Sequence, residues 1–137
     1  MKPKPNKKLG QNFLIDKNVI KKIVECTSIE NKNEILEIGP GTGNLTEFLL
    51  KKKPKKIFLV EKDRSLIEFL KNKFGDNALI LNEDILKFSK KNLLTNNSII
   101  FGNLPYNISS QILTKFIFNN ENLKFKLLVF MFQKELA

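Results

Sequence analysis

Short apolar runs alternate along this chain with segments in which apolar residues recur every three or four positions. Five runs have the length of strands, at residues 35–38, 57–60, 79–81, 99–101 and 127–132. Continuous apolar character is typical of strands buried on both faces of a parallel sheet. Strands that alternate with helices favour the same architecture. The pattern therefore predicts an α/β fold with a doubly wound sheet.

Helical spacing of apolar residues predicts helices between these strands, with a further short helix expected within residues 84–97. Residues with known capping or helix-breaking preferences locate the helix ends. They are Asp16 before the first helix, Pro54 after the second, Asp63 and Gly75 around the third, and Ser109 or Ser110 before the fourth.

A length of 137 residues suits one domain with a hydrophobic core. Residues 1–9 contain two prolines and four lysines, which predicts a flexible basic arm ahead of a domain over residues 10–137. Because the sequence stops just after its fifth strand, we expect this domain to be incomplete at its C-terminus.

The net charge of +10 favours an anionic partner, and nucleic acid is the leading candidate. A second interpretation stays open, because only Arg64 among the 24 basic residues is arginine. Such a lysine bias, together with many Asn, Ile and Phe residues, also arises from an AT-rich genome. Charge alone therefore does not decide the partner.

The cysteine and histidine counts limit the compartment and the chemistry. Cys26 is the only cysteine in the sequence, so no internal disulfide is expected, and a reduced cytoplasmic setting fits best. No apolar run approaches the ~18 residues of a membrane span, so no membrane association is expected. The sequence contains no histidine, which removes the commonest general base and metal ligand.

A glycine-rich turn follows the first predicted strand, at Gly39, Gly41 and Gly43. Glycines suit such a turn because the backbone bends sharply and lets a ligand approach closely. Glu61 ends the second strand 20 residues after Gly41, where a carboxylate can accept hydrogen bonds from ribose hydroxyls. Asp84 follows the third strand and can accept from an adenine amine. The plainer alternative is a tight turn with two helix caps or solvated loop residues.

A second motif, GNLPYNI, follows the fourth strand at residues 102–108. It resembles the N/D-P-P-Y/F motif of methyltransferases that act on exocyclic amines. Five segments together resemble the ribosomal RNA adenine N6-dimethyltransferase family: LGQNFL (9–14), EIGPGTGNLT (37–46), VEKD (60–63), GNLPYNIS (102–109) and FQKE (132–135). They occur in the family's order and span nearly the whole chain.

The resemblance implies a Rossmann-like methyltransferase fold, S-adenosylmethionine as methyl donor and no metal. The cofactor-binding residues that it implies are Gln11, Asn12 and Leu14 over the cofactor, Gly39 and Gly41 against its methionine and ribose, Glu61 at the ribose, Asp84 at the adenine amine, and Asn103 beside the target base. Lys62 departs from the hydrophobic residue usual in the family, and we expect its side chain to face away from the ligand. We expect the family's later strands, a further base-stacking aromatic residue and its helical domain to lie outside this sequence.

The implied catalytic residues are Asn103, Leu104, Pro105 and Tyr106. The adenine N6 lone pair is delocalised into the ring, so positioning and hydrogen bonding are expected to replace a strong base. The Asn103 side-chain oxygen and the Leu104 carbonyl would accept from the amine, Pro105 would orient that carbonyl, and Tyr106 would stack on the flipped base.

The expected reaction is dimethylation of two adjacent adenines near the 3′ end of small-subunit ribosomal RNA, by a monomer acting in ribosome maturation. Thr42, Asn44, Leu45 and Leu104 resemble this branch of the family. Its expected partner is that RNA or the immature small subunit. One alternative is a macrolide-resistance methyltransferase of large-subunit RNA, and another is a non-catalytic nucleic-acid-binding relative. A DNA adenine methyltransferase fits less well, and the G-x-G-x-G spacing disfavours an NAD-dependent dehydrogenase.

Overall fold

The described part of the chain folds into one parallel sheet with helices on both faces. The computed structural model describes Pro3 and residues 16–88, 91–115 and 124–132. Its strands are β1 (Glu34–Ile38), β2 (Lys56–Glu61), β3 (Leu79–Asn82), β4 (Ser98–Leu104) and β5 (Leu127–Phe132), in the sheet order β3-β2-β1-β4-β5. Every strand pair is parallel, which confirms the doubly wound α/β prediction.

The described residues include four α-helices: α1 (Lys17–Glu25) precedes β1, and α2 (Asn44–Lys51), α3 (Arg64–Phe74) and α4 (Tyr106–Leu113) connect successive strands. α1 and α3 begin directly after their predicted N-cap residues. The Asp16 and Asp63 side chains accept hydrogen bonds from backbone N–H groups of the first turn. Gly75 caps the C-terminal end of α3, and its φ of 55° is a conformation that glycine adopts readily. The short helix expected within residues 84–97 is replaced by two 3₁₀ turns, Ile85–Lys87 and Lys91–Leu93.

The start of α4 corrects the prediction that Ser109 or Ser110 opens the fourth helix. The helix begins at Tyr106, and Pro105 takes the cap position with φ −57° and ψ 141°. The backbone N–H groups of Ile108 and Ser109 donate to the Pro105 carbonyl at 3.1 and 3.0 Å, which closes the first turn. Proline fits the start of a helix because its φ is already near the helical value and it has no N–H to satisfy. No serine cap is needed.

Alternation along the strands divides the core between the two faces of the sheet. On one face, Ile35, Ile57 and Phe101 pack with residues of α1, α2 and α3. On the other face, Leu36 and Ile100 pack with α4 and the 3₁₀ turns. Burial on both sides explains why the strands read as continuous apolar runs. No helix within the described ranges is long and apolar enough to cross a membrane.

Candidate functional site at the carboxyl ends of the strands

The glycine turn lies at the carboxyl end of β1, where the strand order reverses. β1 pairs with β2 on one side and β4 on the other, and Ile38 lies opposite Val60 and Gly102. The backbone N–H of Gly39 donates to the Val60 carbonyl at 2.9 Å, which holds the start of the turn against β2. Ligands of open α/β sheets bind in the crevice at such a reversal. The predicted turn therefore lies where this fold class places its ligands.

Gly39 brings this turn close to the Asn103 motif. A Cβ atom built on Gly39 would lie 3.9 Å from the Asn103 backbone oxygen and 4.0 Å from a Leu104 methyl carbon. β4 runs to Leu104, three residues beyond its predicted end, so Asn103 is held in the sheet and its Cα is paired with that of Met131 of β5. The two sequence motifs, about sixty positions apart, are thus adjacent in the folded chain.

Glu61 ends β2 beside the turn and is only 7% exposed. One of its carboxylate oxygens, Oε2, accepts from the backbone N–H groups of Lys62 at 2.8 Å and Asp63 at 3.0 Å. Burial raises the pKa of Glu61 above its ordinary value, and backbone hydrogen bonds from Asp63, Lys62 and Gly41 oppose that rise. The bond from Gly41 links the carboxyl group directly to the glycine turn. A hydrogen-bond acceptor is therefore fixed between β2 and the turn.

Asp84 follows β3 and forms an ion pair with Lys62. The Lys62 ammonium lies 3.6 Å from Asp84 Oδ2, the carboxylate that the resemblance assigns to the adenine amine, so the direction of Lys62 relative to a bound ligand stays a prediction. Lys62 lies just beyond the end of β2, and its long stem spans to the end of the neighbouring strand, where the opposite charge attracts it. Asp84 Oδ1 accepts from the backbone N–H of Leu86 at 3.0 Å, which orients the carboxylate.

The carboxyl group of Glu37 is buried beneath the turn. The sequence motifs assign no role to this residue. Glu37 is 2% exposed on β1, and its Oε1 accepts from the Thr46 hydroxyl of α2 at 2.6 Å. Burial raises the pKa of Glu37 to about 7; the Thr46 hydrogen bond opposes the rise and the charge of Glu61 adds to it. The sequence feature that could have indicated a role for Glu37 is its position inside an apolar strand, where an unpaired charge is energetically disfavoured.

The predicted site residues divide into those at this edge and those outside the described residues. Gly39, Gly41, Glu61, Asp84 and Asn103 all lie at the carboxyl edge of the sheet. Gln11, Asn12 and Leu14 lie outside the described residues, as do the predicted 1–9 arm apart from Pro3 and the 133–135 segment. Pro105 and Tyr106 join β4 to α4 at the same edge.

Comparison with known proteins identifies the family. The sequence profile of the ribosomal RNA adenine dimethylases matches residues 2–137. The chain belongs to this family. Ribosomal RNA small subunit methyltransferase A of Pelagibacter ubique is 56% identical over 135 residues, which cover 98% of this chain and 51% of that protein. The chain thus spans about half the length of this curated relative.

Two solved structures whose names describe related enzymes have a similar fold. A dimethyladenosine transferase from Plasmodium falciparum superposes with a TM-score of 0.76 at 31% identity, covering 90% of this chain and 44% of that one. The 23S rRNA methyltransferase ErmE superposes with a TM-score of 0.75 at 27% identity, covering 89% of this chain and 48% of that one. The fold of the described residues is therefore similar to that of these two proteins.

Proposed function

We propose that this chain is the cofactor-binding part of an S-adenosylmethionine-dependent enzyme that dimethylates adjacent adenines of small-subunit ribosomal RNA at N6. The observation that carries the proposal is the contact between two motifs: Gly39 of the turn lies against the Asn103 backbone at the switch point. A donor bound along the turn would meet an acceptor base held by the end of β4. The family membership and the 56% identity to a small-subunit methyltransferase support the same reaction.

The polar groups at this edge suit an adenosine-containing cofactor. The buried Glu61 carboxyl, anchored by backbone N–H groups, would accept from the ribose hydroxyls. Asp84, oriented by the Leu86 N–H, would accept from the adenine amine. Gly39 and Gly41 let the methionine part approach the backbone, and Gln11, Asn12 and Leu14 would cover it. S-adenosylmethionine supplies, when bound, a methyl group on a positively charged sulfur.

The residues after β4 would prepare the adenine for methyl transfer. The Asn103 side-chain oxygen and the Leu104 carbonyl would accept hydrogen bonds from the N6 amine, which favours a pyramidal nitrogen with its lone pair directed at the methyl group. Pro105 restricts the backbone that carries the Leu104 carbonyl. The Tyr106 ring would stack on the flipped base, a contact worth about 1–3 kcal/mol. No side chain in this scheme has to act as a strong base.

Small-subunit RNA is the favoured substrate, and large-subunit RNA is the alternative. The relative named for the small subunit is 56% identical, against 27% for the methyltransferase named for 23S RNA. We also infer that the protein acts as a monomer in the cytoplasm on the immature small subunit. The basic charge of +10 would hold RNA phosphates, so binding should weaken steeply with salt.

The decisive experiment uses full-length protein, methyl-labelled cofactor and separated ribosomal subunits, with the modified nucleotides mapped. We expect label in the small subunit, as dimethyladenosine at two adjacent positions near the 3′ end. Label confined to the large subunit would favour the resistance-type alternative. Cofactor binding without label in either subunit, under conditions in which a known family member is active, would favour a non-catalytic relative.

A further inference from the structure

The last turn of α3 contacts the glycine turn. The Lys73 ammonium donates a hydrogen bond to the Thr42 carbonyl at 2.8 Å, although the two residues are 31 positions apart. The same ammonium forms an ion pair with Glu47 Oε1 of α2 at 2.7 Å. Its side chain is 25% exposed, and the nitrogen lies 5.4 Å from the centre of the Phe74 ring. This geometry holds Lys73 in one place.

Phe74 supports the turn directly beside this contact. A Cβ atom on Gly43 would lie 2.5 Å from Phe74 Cε2 and 3.3 Å from Leu70 Cδ2, so the ring packs against the Gly43 backbone. Gly43 has φ +84°, a conformation that residues with side chains rarely adopt. α3 thus meets the turn at two neighbouring residues: Lys73 binds Thr42, and Phe74 packs against Gly43.

The peptide group between Thr42 and Gly43 is bonded at both ends. Its carbonyl accepts from Lys73, and its N–H donates to the Pro40 carbonyl at 2.9 Å. The Gly41 N–H, two peptide groups earlier in the turn, bonds to the Glu61 carboxyl group. Hydrogen bonds at both ends favour one orientation of this peptide group, and through it of the neighbouring N–H groups, before a ligand arrives. Such preorganisation strengthens binding because less ordering is required on association.

We propose that Lys73 is a positioning residue for cofactor binding, acting through the Thr42 carbonyl to hold the glycine turn in its ligand-ready shape. The identity of the ligand rests on the proposed function, whereas the effect on the turn does not. Lys73 itself touches no ligand in this scheme. Without it, the Thr42 carbonyl turns to water and the turn samples other conformations.

Four variants of this chain test the proposal. Lys73→Met keeps the stem and removes the donor, and Lys73→Arg restores donor and charge. Glu47→Gln removes the ion pair and leaves the bond to Thr42. Lys71→Met is the matched control, because it makes the same charge change at an exposed lysine of the same helix. Calorimetry with S-adenosylmethionine gives Kd, amide hydrogen exchange by NMR reports on Gly43, and urea unfolding gives global stability.

We expect Lys73→Met to raise Kd roughly 3- to 10-fold, the range for losing one ordering hydrogen bond, and to speed exchange at the Gly43 amide. Lys71→Met and Glu47→Gln should stay within about twofold of the parent, and Lys73→Arg should recover most of the affinity. Equal Kd for Lys73→Met and Lys71→Met, or unchanged Gly43 exchange in Lys73→Met, would overturn the proposal. If the parent binds no S-adenosylmethionine, the proposed cofactor is wrong, and Gly43 exchange still decides the role of Lys73.

Discussion

Replacing Glu37 with glutamine should remove a pH dependence from the stability of this fold. Glu37 lies beneath the glycine turn, 2% exposed, and its carboxyl group accepts from the Thr46 hydroxyl at 2.6 Å. Burial raises its pKa from the ordinary 4.5 to about 7. The Glu37→Gln side chain keeps an oxygen that can accept from Thr46 and has nearly the same size. The change therefore isolates the titration of this group.

The sign and size follow from the two pKa values. A raised pKa means that the folded state holds its proton more tightly than the unfolded state, so stability is highest below pH 4.5. The stabilisation is lost progressively as pH rises from 4.5 towards about 7. At about 1.4 kcal/mol per pKa unit, the complete loss is about 3 kcal/mol. The glutamine variant should not lose this contribution, so it should become the more stable of the two at neutral pH.

Urea unfolding at intervals between pH 4 and 8 measures this difference without any ligand. The free energy of unfolding of the variant, minus that of the parent, should rise by about 3 kcal/mol across this interval. Glu68→Gln serves as a control, because it removes an exposed carboxylate from α3. Parallel curves for Glu37→Gln and the parent would show that the buried carboxyl group does not titrate as its surroundings require.

Further changes test the turn and the proposed chemistry. Glu61→Ala should weaken S-adenosylmethionine binding in calorimetry by about 1–3 kcal/mol, and equal affinity would remove Glu61 from the site. Gly43→Ala should lower the free energy of unfolding by about 1–3 kcal/mol, and less in a Phe74→Ala background, because the added Cβ would meet that ring. In full-length protein, Asn103→Ala should reduce kcat roughly 100-fold with little change in cofactor Kd, and a larger change in Kd would assign Asn103 to cofactor binding. Tyr106→Phe should be mild and Tyr106→Ala should lose about 1–3 kcal/mol of base binding; equal damage would refute stacking.

The order of elements was predictable because local patterns carry it. Apolar runs mark strands that are buried on both faces, and Asp16, Asp63 and Gly75 mark helix ends through bonds made within a few residues. The start of α4 was mispredicted because the same local preferences were applied to Ser109 and Ser110. Serine is the usual cap, and only the backbone conformation of Pro105 shows that the helix begins earlier.

The meeting of the motifs at one edge of the sheet was predictable from the sequence, whereas contacts between distant side chains were not. Gly39, Glu61 and Asn103 lie at or next to the carboxyl ends of their strands, so a parallel sheet brings them to one edge. The Lys62 ion pair with Asp84 depends on how a long side chain crosses between two strand ends. The contact of Lys73 with the Thr42 carbonyl joins residues 31 positions apart, and neither residue type signals it.

The strand order itself explains how one edge can hold both a methyl donor and its acceptor. β1 lies between β2 and β4, so the turn that follows it has Glu61 on one side and Asn103 on the other. The connections on either side of a reversal lead to opposite faces, which leaves a crevice above the central strand. In the proposed function, a cofactor held at the acidic end of β2 would extend across the turn towards β4. Its reactive end would then meet the residues proposed to hold the adenine, because Gly39 has no side chain to separate the turn from the Asn103 backbone.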